Sequence, residues 1–192
     1  MRRMVQAAGL TPGAVFWGEG RNTGKQGLDR KIPGYRAGAA HGRLVFVLRD
    51  LDTDAGCAPA LLMQLGGETG DNLCLRIVVR TTDAWPLADR EALALHLGVD
   101  PQRLPADCEA VPSPKAAIVD AARKSRSRRV REALLPREGS GRAEGPEYAT
   151  VMDAFIREEW DPMRAAGNSA SLERALCGLQ ALAGRVKAAG AG

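Results

Sequence analysis

At 192 residues, with 45% hydrophobic and 26% charged side chains, the chain has the composition of one globular domain, or of a core with a small appendage. No apolar run approaches the ~20 residues that cross a bilayer, and no apolar stretch follows Met1-Arg2-Arg3-Met4 as in a signal peptide, so a cytoplasmic protein without membrane contact is expected. The net charge is +4, and its distribution says more than its total; with 4% aromatic residues nothing suggests a base-stacking platform.

The chain opens on Arg2 to Ala8, which reads as the tail of a helix closed by Gly9. Ala14 to Trp17 predicts a short strand running into the glycine-rich stretch Gly18 to Gln26. A Walker A loop would place glycine where Glu19 stands and serine or threonine where Gln26 stands. Nucleotide binding is therefore poorly supported, and only a looser phosphodiester contact through Arg21, Lys25 and backbone N–H groups survives. Leu28, Ile32, Tyr35 and Ala39 follow at helical spacing, and Pro33-Gly34 predicts that two short helices share this segment.

Leu44 to Leu48 is a continuous apolar run, the pattern of a strand buried on both faces of a parallel sheet. Asp50, Asp52 and Asp54 come directly after it. Ligands of open α/β sheets bind beyond the carboxyl ends of the strands, so these acids stand where chemistry is expected. Converging carboxylates need a cation, and Mg²⁺ or Mn²⁺ suits oxygen donors; the alternative is that Asp52 and Asp54 start a loop and cap the next helix. Cys57 to Leu65 reads as a crossover helix and Leu73 to Val79 as the next strand, giving a mostly parallel α/β order.

Asp83 lies just past that strand. Asp89 reads as the N-cap of a helix that Gly98 ends, and Arg90 is placed to reach an anion. Trp85 reads as core, and His96 has no second ligand nearby and is assigned no role. Pro101 to Pro114 has the look of a linker, and a helix opens at Pro114-Lys115. Lys124, Arg126, Arg128, Arg129 and Arg131 place five positive charges in eight residues, either a solvated face or an electrostatic footprint for nucleic acid. Gly139 to Gly145 reads as a loop, Tyr148 to Trp160 as an amphipathic helix, and Asn168 to Ser171 as the cap of a last helix striped by Leu172, Leu176, Leu179 and Leu182. Cys57, Cys74, Cys108 and Cys177 are widely spaced, and Cys57 and Cys74 stand in apolar contexts. Reduced thiols, the latter two in the core, are expected rather than disulfides or zinc.

Several short marks run along most of the chain in a consistent order. They are Gly20-Arg21-Asn22, Ile32-Pro33-Gly34-Tyr35, Val47-Leu48-Arg49-Asp50-Leu51-Asp52, and Val79-Arg80-Thr81-Thr82-Asp83-Ala84-Trp85-Pro86-Leu87-Ala88-Asp89-Arg90. Further on come Pro114-Lys115, Ser125 to Arg129, Gly145-Pro146 with Tyr148, Trp160-Asp161-Pro162 and Ser169 to Leu172. Together they resemble an uncharacterised bacterial toprim-like domain-of-unknown-function family. The resemblance implies a toprim-like, mostly parallel sheet flanked by helices over residues 1–100, and a helical C-terminal extension over 101–192 packed on that core. It further implies Mg²⁺-dependent phosphodiester chemistry, with Asp50 and Asp52 as metal ligands and Asp83 as a third catalytic acid. Arg90, Lys115, Arg126, Arg128 and Arg129 would contact phosphates. Asp83 replaces the family's usual glutamate, and the family's first strand with its acidic residue has no counterpart here. The expected function is thus a toprim-like nuclease or its degenerate relative acting on nucleic acid; the alternative is a non-catalytic subunit that binds an ATPase partner.

Overall fold

The computed structural model of the chain describes residues 1–11, 24–67 and 70–189. Its contacts divide the chain into two units, one of residues 1–80 with 171–192 and one of residues 81–170. The molecule is mixed α/β, with a small parallel sheet flanked by helices.

The first unit is built on two strands, β1 (Val45–Asp50) and β2 (Leu73–Val78), paired in parallel from Val45 opposite Leu73 to Asp50 opposite Val78. Parallel neighbours require a crossover, and helix α3 (Ala58–Gln64) supplies it. Strand β2 is buried at every position except Arg76, as an apolar strand between covered faces should be. Strand β1 departs from that expectation: Val47 and Arg49 are buried, while Val45, Phe46, Leu48 and Asp50 are half-exposed. Among the described residues no strand pairs with its outer edge, so its apolar run is only partly covered. Asp50 is also the last residue of the strand rather than the first of the loop.

Helix α1 (Arg2–Ala7) ends as expected at a left-handed Gly9. The expected strand at Ala14 to Trp17 and most of the glycine-rich stretch fall outside the described residues. Gly24 onwards is already helix α2 (Gly24–Ala40), which is continuous through Pro33 instead of breaking there. A proline in a helix interior costs about 3 kcal/mol through its missing N–H and its clash with the preceding turn. The helix persists because Ile32 and Ala39 are buried against Val47, Leu73 and Leu75, with Leu28 and Tyr35 beside them. Fully burying side chains of this size returns roughly 1.5–3 kcal/mol each, enough to override one broken hydrogen bond. Leu51, Leu61 and Ile77 form a second cluster at the α3 side.

Helix α10 (Ala170–Ala189), from Ser171 onwards, belongs to this first unit. Its leucine stripe is buried as read, with Leu172, Leu176, Leu179 and Leu182 all in the core. Gly178 lets it approach β2: a Cβ there would stand 2.4 Å from Cys74 Sγ. Arg76 Nε donates 3.1 Å to the Arg174 carbonyl of the same helix. No cysteine is in a disulfide among the described residues; Cys74 is in the core as expected, but Cys57 is exposed at the N-cap of α3.

The second unit is helical: α4 (Ala84–Ala88), α5 (Arg90–Leu97), α6 (Pro114–Ala122), α7 (Arg128–Leu134), α8 (Tyr148–Glu158) and α9 (Pro162–Ala166). The proline-rich 101–114 connection contains one 3₁₀ turn, Pro101–Arg103, and is otherwise irregular. Trp85 is buried, and its carbonyl accepts 3.2 Å from the indole of Trp160, itself buried. Ser113 and Asp161 cap α6 and α9 through their side chains. Among the described residues no helix is long and apolar enough to cross a membrane.

Candidate functional site

The residues expected to carry chemistry are shared between the two units. Asp50 and Asp52 are in the first, and Asp83, Arg90, Lys115, Arg126, Arg128 and Arg129 in the second.

At the end of β1 the chain turns sharply. Asp52 has a φ of 50°, a left-handed conformation that aspartate tolerates better than most residues. The turn is held by Leu51 N–H to the Val78 carbonyl and Asp52 N–H to that of Arg80, each 2.8 Å. It directs Asp52 and Asp54 toward one cation of the chain itself. Lys25 Nζ, in the first turn of α2, lies 2.9 Å from Asp52 Oδ2 and 2.6 Å from Asp54 Oδ1. A second cation lies below. Arg49 is only 4% exposed, and its guanidinium binds both oxygens of Asp29 at 2.9 and 3.0 Å and Asp54 Oδ2 at 2.6 Å.

A buried guanidinium without partners would cost several kcal/mol, so Asp29 and Asp54 are what allow an arginine inside this strand. The electrostatics follow from the pairing. Bonding to Asp29, then to Asp54, raises the Arg49 pKa; Lys25, then Arg49, lowers that of Asp54; and Asp54, then Asp52, raises that of Lys25. The acidic loop is thus a five-membered network of Lys25, Asp29, Arg49, Asp52 and Asp54.

This arrangement is a poor fit to a divalent metal centre. Mg²⁺ requires several oxygen donors in near-octahedral geometry, and among the described residues no group of three or more His, Cys, Asp or Glu side chains is arranged to hold an ion. An ion at Asp50 and Asp52 would also have to compete with the Lys25 ammonium for Asp52.

In the second unit, Asp83 stands at the N-cap of α4, and burial raises its pKa against the opposing pull of Lys115. Lys115 Nζ is 5.0 Å from the ring centroid of Tyr148 and 3.4 Å from Glu144 Oε1. Tyr148 is 5% exposed, and its hydroxyl is buried with no hydrogen-bond partner among the described residues. Burial, then the charges of Asp83 and Glu144, raise its pKa. Asp83 and Lys115, distant in sequence, are thereby gathered around one tyrosine together with Glu144. Gly145 makes this possible: a Cβ there would stand 2.3 Å from the Ala133 carbonyl oxygen, so only glycine lets the loop enter α8 here.

Asp89 and Arg90 turn inward. The Asp89 side chain makes no cap bond to α5; it is 1% exposed and accepts from Arg164 at 2.5 and 2.7 Å and from the Asp161 N–H at 2.9 Å. Arg90 Nε donates 2.8 Å to the Pro101 carbonyl. Both hold the unit together, and Arg90 is already engaged by the backbone.

The basic run divides by role. Buried Ser125 donates 2.5 Å to the Leu97 carbonyl, Arg126 N–H donates 2.9 Å to that of Gly98, and Arg131 donates to the Ser125 carbonyl. The serines between the arginines anchor the run, and Arg131 is part of the anchor. Arg128 pairs with Glu132 at 2.7 Å, which its exposure makes a weak bond. Arg126 and Arg129 are exposed and make no ion pair among the described residues. Arg129 and Arg131 line an open concavity of about 710 Å³, to which Arg137 adds a third guanidinium.

Sequence reading missed Arg49, Asp29, Glu144, Tyr148 and Arg137. Arg49 carried a signal, since an arginine inside an apolar strand demands carboxylates from elsewhere. His96, given no role, lies 2.6 Å from Glu159 and packs on Phe155. Comparison of the chain with protein families, with curated proteins and with solved structures found no match.

Proposed function

We propose that the chain is a degenerate relative of toprim-like phosphodiester enzymes, one that binds nucleic acid without cutting it. The carrying observation is the Lys25 ammonium held between Asp52 and Asp54. A tethered ammonium neutralises these carboxylates as a metal would, yet it has no open coordination position for water or phosphate, which metal-assisted hydrolysis needs. Binding falls to the second unit, where Arg126 and Arg129 present guanidiniums to phosphate oxygens beside a concavity lined by three arginines together with Glu132 and Glu147.

The test is an incubation of the chain with end-labelled single- and double-stranded DNA and RNA in Mg²⁺ and in Mn²⁺, followed for both binding and cleavage. The expected outcome is retention without cleavage. Metal-dependent cutting that disappears in Asp52→Asn would overturn the non-hydrolytic reading, and absence of retention at low salt would overturn the nucleic-acid reading. Lys25→Ala supplies a control: removal of the tethered cation should raise the heat of Mn²⁺ binding above that of the wild type.

A further inference from the structure

We propose that Lys115 and Tyr148 form a phosphate-binding pocket in the second unit, and that the Glu144 carboxylate holds its place in the free chain. Buried hydroxyls are nearly always hydrogen-bonded, because leaving one unpaired costs about 1–3 kcal/mol. The Tyr148 hydroxyl has no partner among the described residues although carboxylates of its own unit act on it electrostatically. The hydroxyl therefore has a proton to give to an acceptor other than the described side chains.

The chemistry of the surrounding groups selects an anion. Lys115 offers three N–H donors, and its ammonium rests on the face of the Tyr148 ring at 5.0 Å. The raised Tyr148 pKa keeps the phenol protonated, so it too donates. The anion now on Lys115 is Glu144, at a long 3.4 Å and with its side chain 35% exposed, an ion pair that a better acceptor displaces easily. A phosphate group carries more charge and more acceptor oxygens than a carboxylate and can reach both donors together once Glu144 has swung out. The backbone need not follow. Gly145 N–H is fixed 2.8 Å from the Leu134 carbonyl and Glu147 N–H 3.1 Å from that of Ala133, so only the Glu144 side chain moves. Burial raises the Asp83 pKa, and Asp83 is the like charge beside the site that the two donors must outweigh.

The inference rests on the nucleic-acid reading only for the natural source of the phosphate; the pocket is tested separately with inorganic phosphate. Phosphate binding to the full chain is measured by calorimetry at low salt for the wild type, Glu144→Gln, Lys115→Met and Tyr148→Phe, each with a thermal melt. Glu144→Gln should tighten binding by on the order of ten-fold, the size of one charge-assisted hydrogen bond. Tyr148→Phe should weaken binding while leaving the melting temperature equal or higher, a combination that a purely structural tyrosine does not produce. Unchanged or weaker binding in Glu144→Gln, unchanged binding in Tyr148→Phe, or no binding by any of the four proteins would overturn the pocket. An oligonucleotide arm separates the two readings. Oligonucleotide retention unaffected by Lys115→Met and Tyr148→Phe removes the pocket from nucleic-acid binding and leaves that reading standing. Phosphate binding without oligonucleotide binding does the reverse.

Discussion

Single residues decide how charge is tolerated inside each unit. Asp89 is 1% exposed while its partner Arg164 is half-exposed, so the two ends of the pair are not equivalent. Removing Arg164 leaves a carboxylate buried with one backbone N–H; removing the charge of Asp89 leaves a guanidinium that water can reach. Arg164→Ala should therefore cost about 3 kcal/mol, the low end for orphaning a buried ion, and Asp89→Asn clearly less. Denaturant melts of the two variants check the order, and equal losses would show that solvent reaches Asp89. The Lys25 bridge gives a pH prediction. The Asp54 pKa is lowered below its ordinary 3.8, so the stability it confers is present above that value and is lost as acid titrates through the lowered one. The Lys25 pKa is raised above 10.5, so its contribution is present below that value and is lost only in stronger alkali. The difference in melting temperature between wild type and Lys25→Met should hold from about pH 4 to about pH 10 and shrink outside that window on both sides.

At the scale of elements, packing overrules local preference. Helix α2 keeps Pro33 because one face is committed to the β1–β2 core. Helix α10 contrasts two glycines in one element. Gly178 faces Cys74 Sγ and Arg76 too closely for a methyl group, while a Cβ at Gly184 would meet nothing within 4 Å. Gly178→Ala should lose about 1–3 kcal/mol by overpacking, and Gly184→Ala should gain up to about 1 kcal/mol from helix propensity. Thermal unfolding of both variants is the check; similar shifts would mean that α10 does not depend on its approach to β2.

At the scale of the whole molecule, the candidate residues belong to two units, and the units do different things with charge. In the first, the cations Lys25 and Arg49 are consumed by carboxylates. In the second, Arg126 and Arg129 remain exposed. Replacing both arginines by alanine should remove about two phosphate contacts and flatten the logarithmic salt dependence of nucleic-acid binding by roughly 2, without altering the melting temperature. Fluorescence anisotropy at several salt concentrations measures the slope, and superimposable titrations would show that phosphates are held elsewhere.

Much of the element order follows from local sequence, because periodicity and end signals are local. The alternation of strand and crossover from Val45 to Val78, the left-handed stop at Gly9, the proline start of α6 and the leucine stripe of α10 are all legible from neighbouring residues. Asp50, Asp52 and Asp54 were equally visible as an acidic cluster after a strand. What Asp52 and Asp54 face was not, since Lys25 and Asp29 belong to α2 and reach Asp52, Asp54 and Arg49 only when that helix packs on the sheet. The same holds for Asp83, Lys115, Glu144 and Tyr148. Ion pairs and unsatisfied hydroxyls are properties of three-dimensional neighbours, so tertiary structure alone decided that Asp89 clamps Arg164 rather than capping α5, and that the acidic loop is closed by the chain's own ammonium.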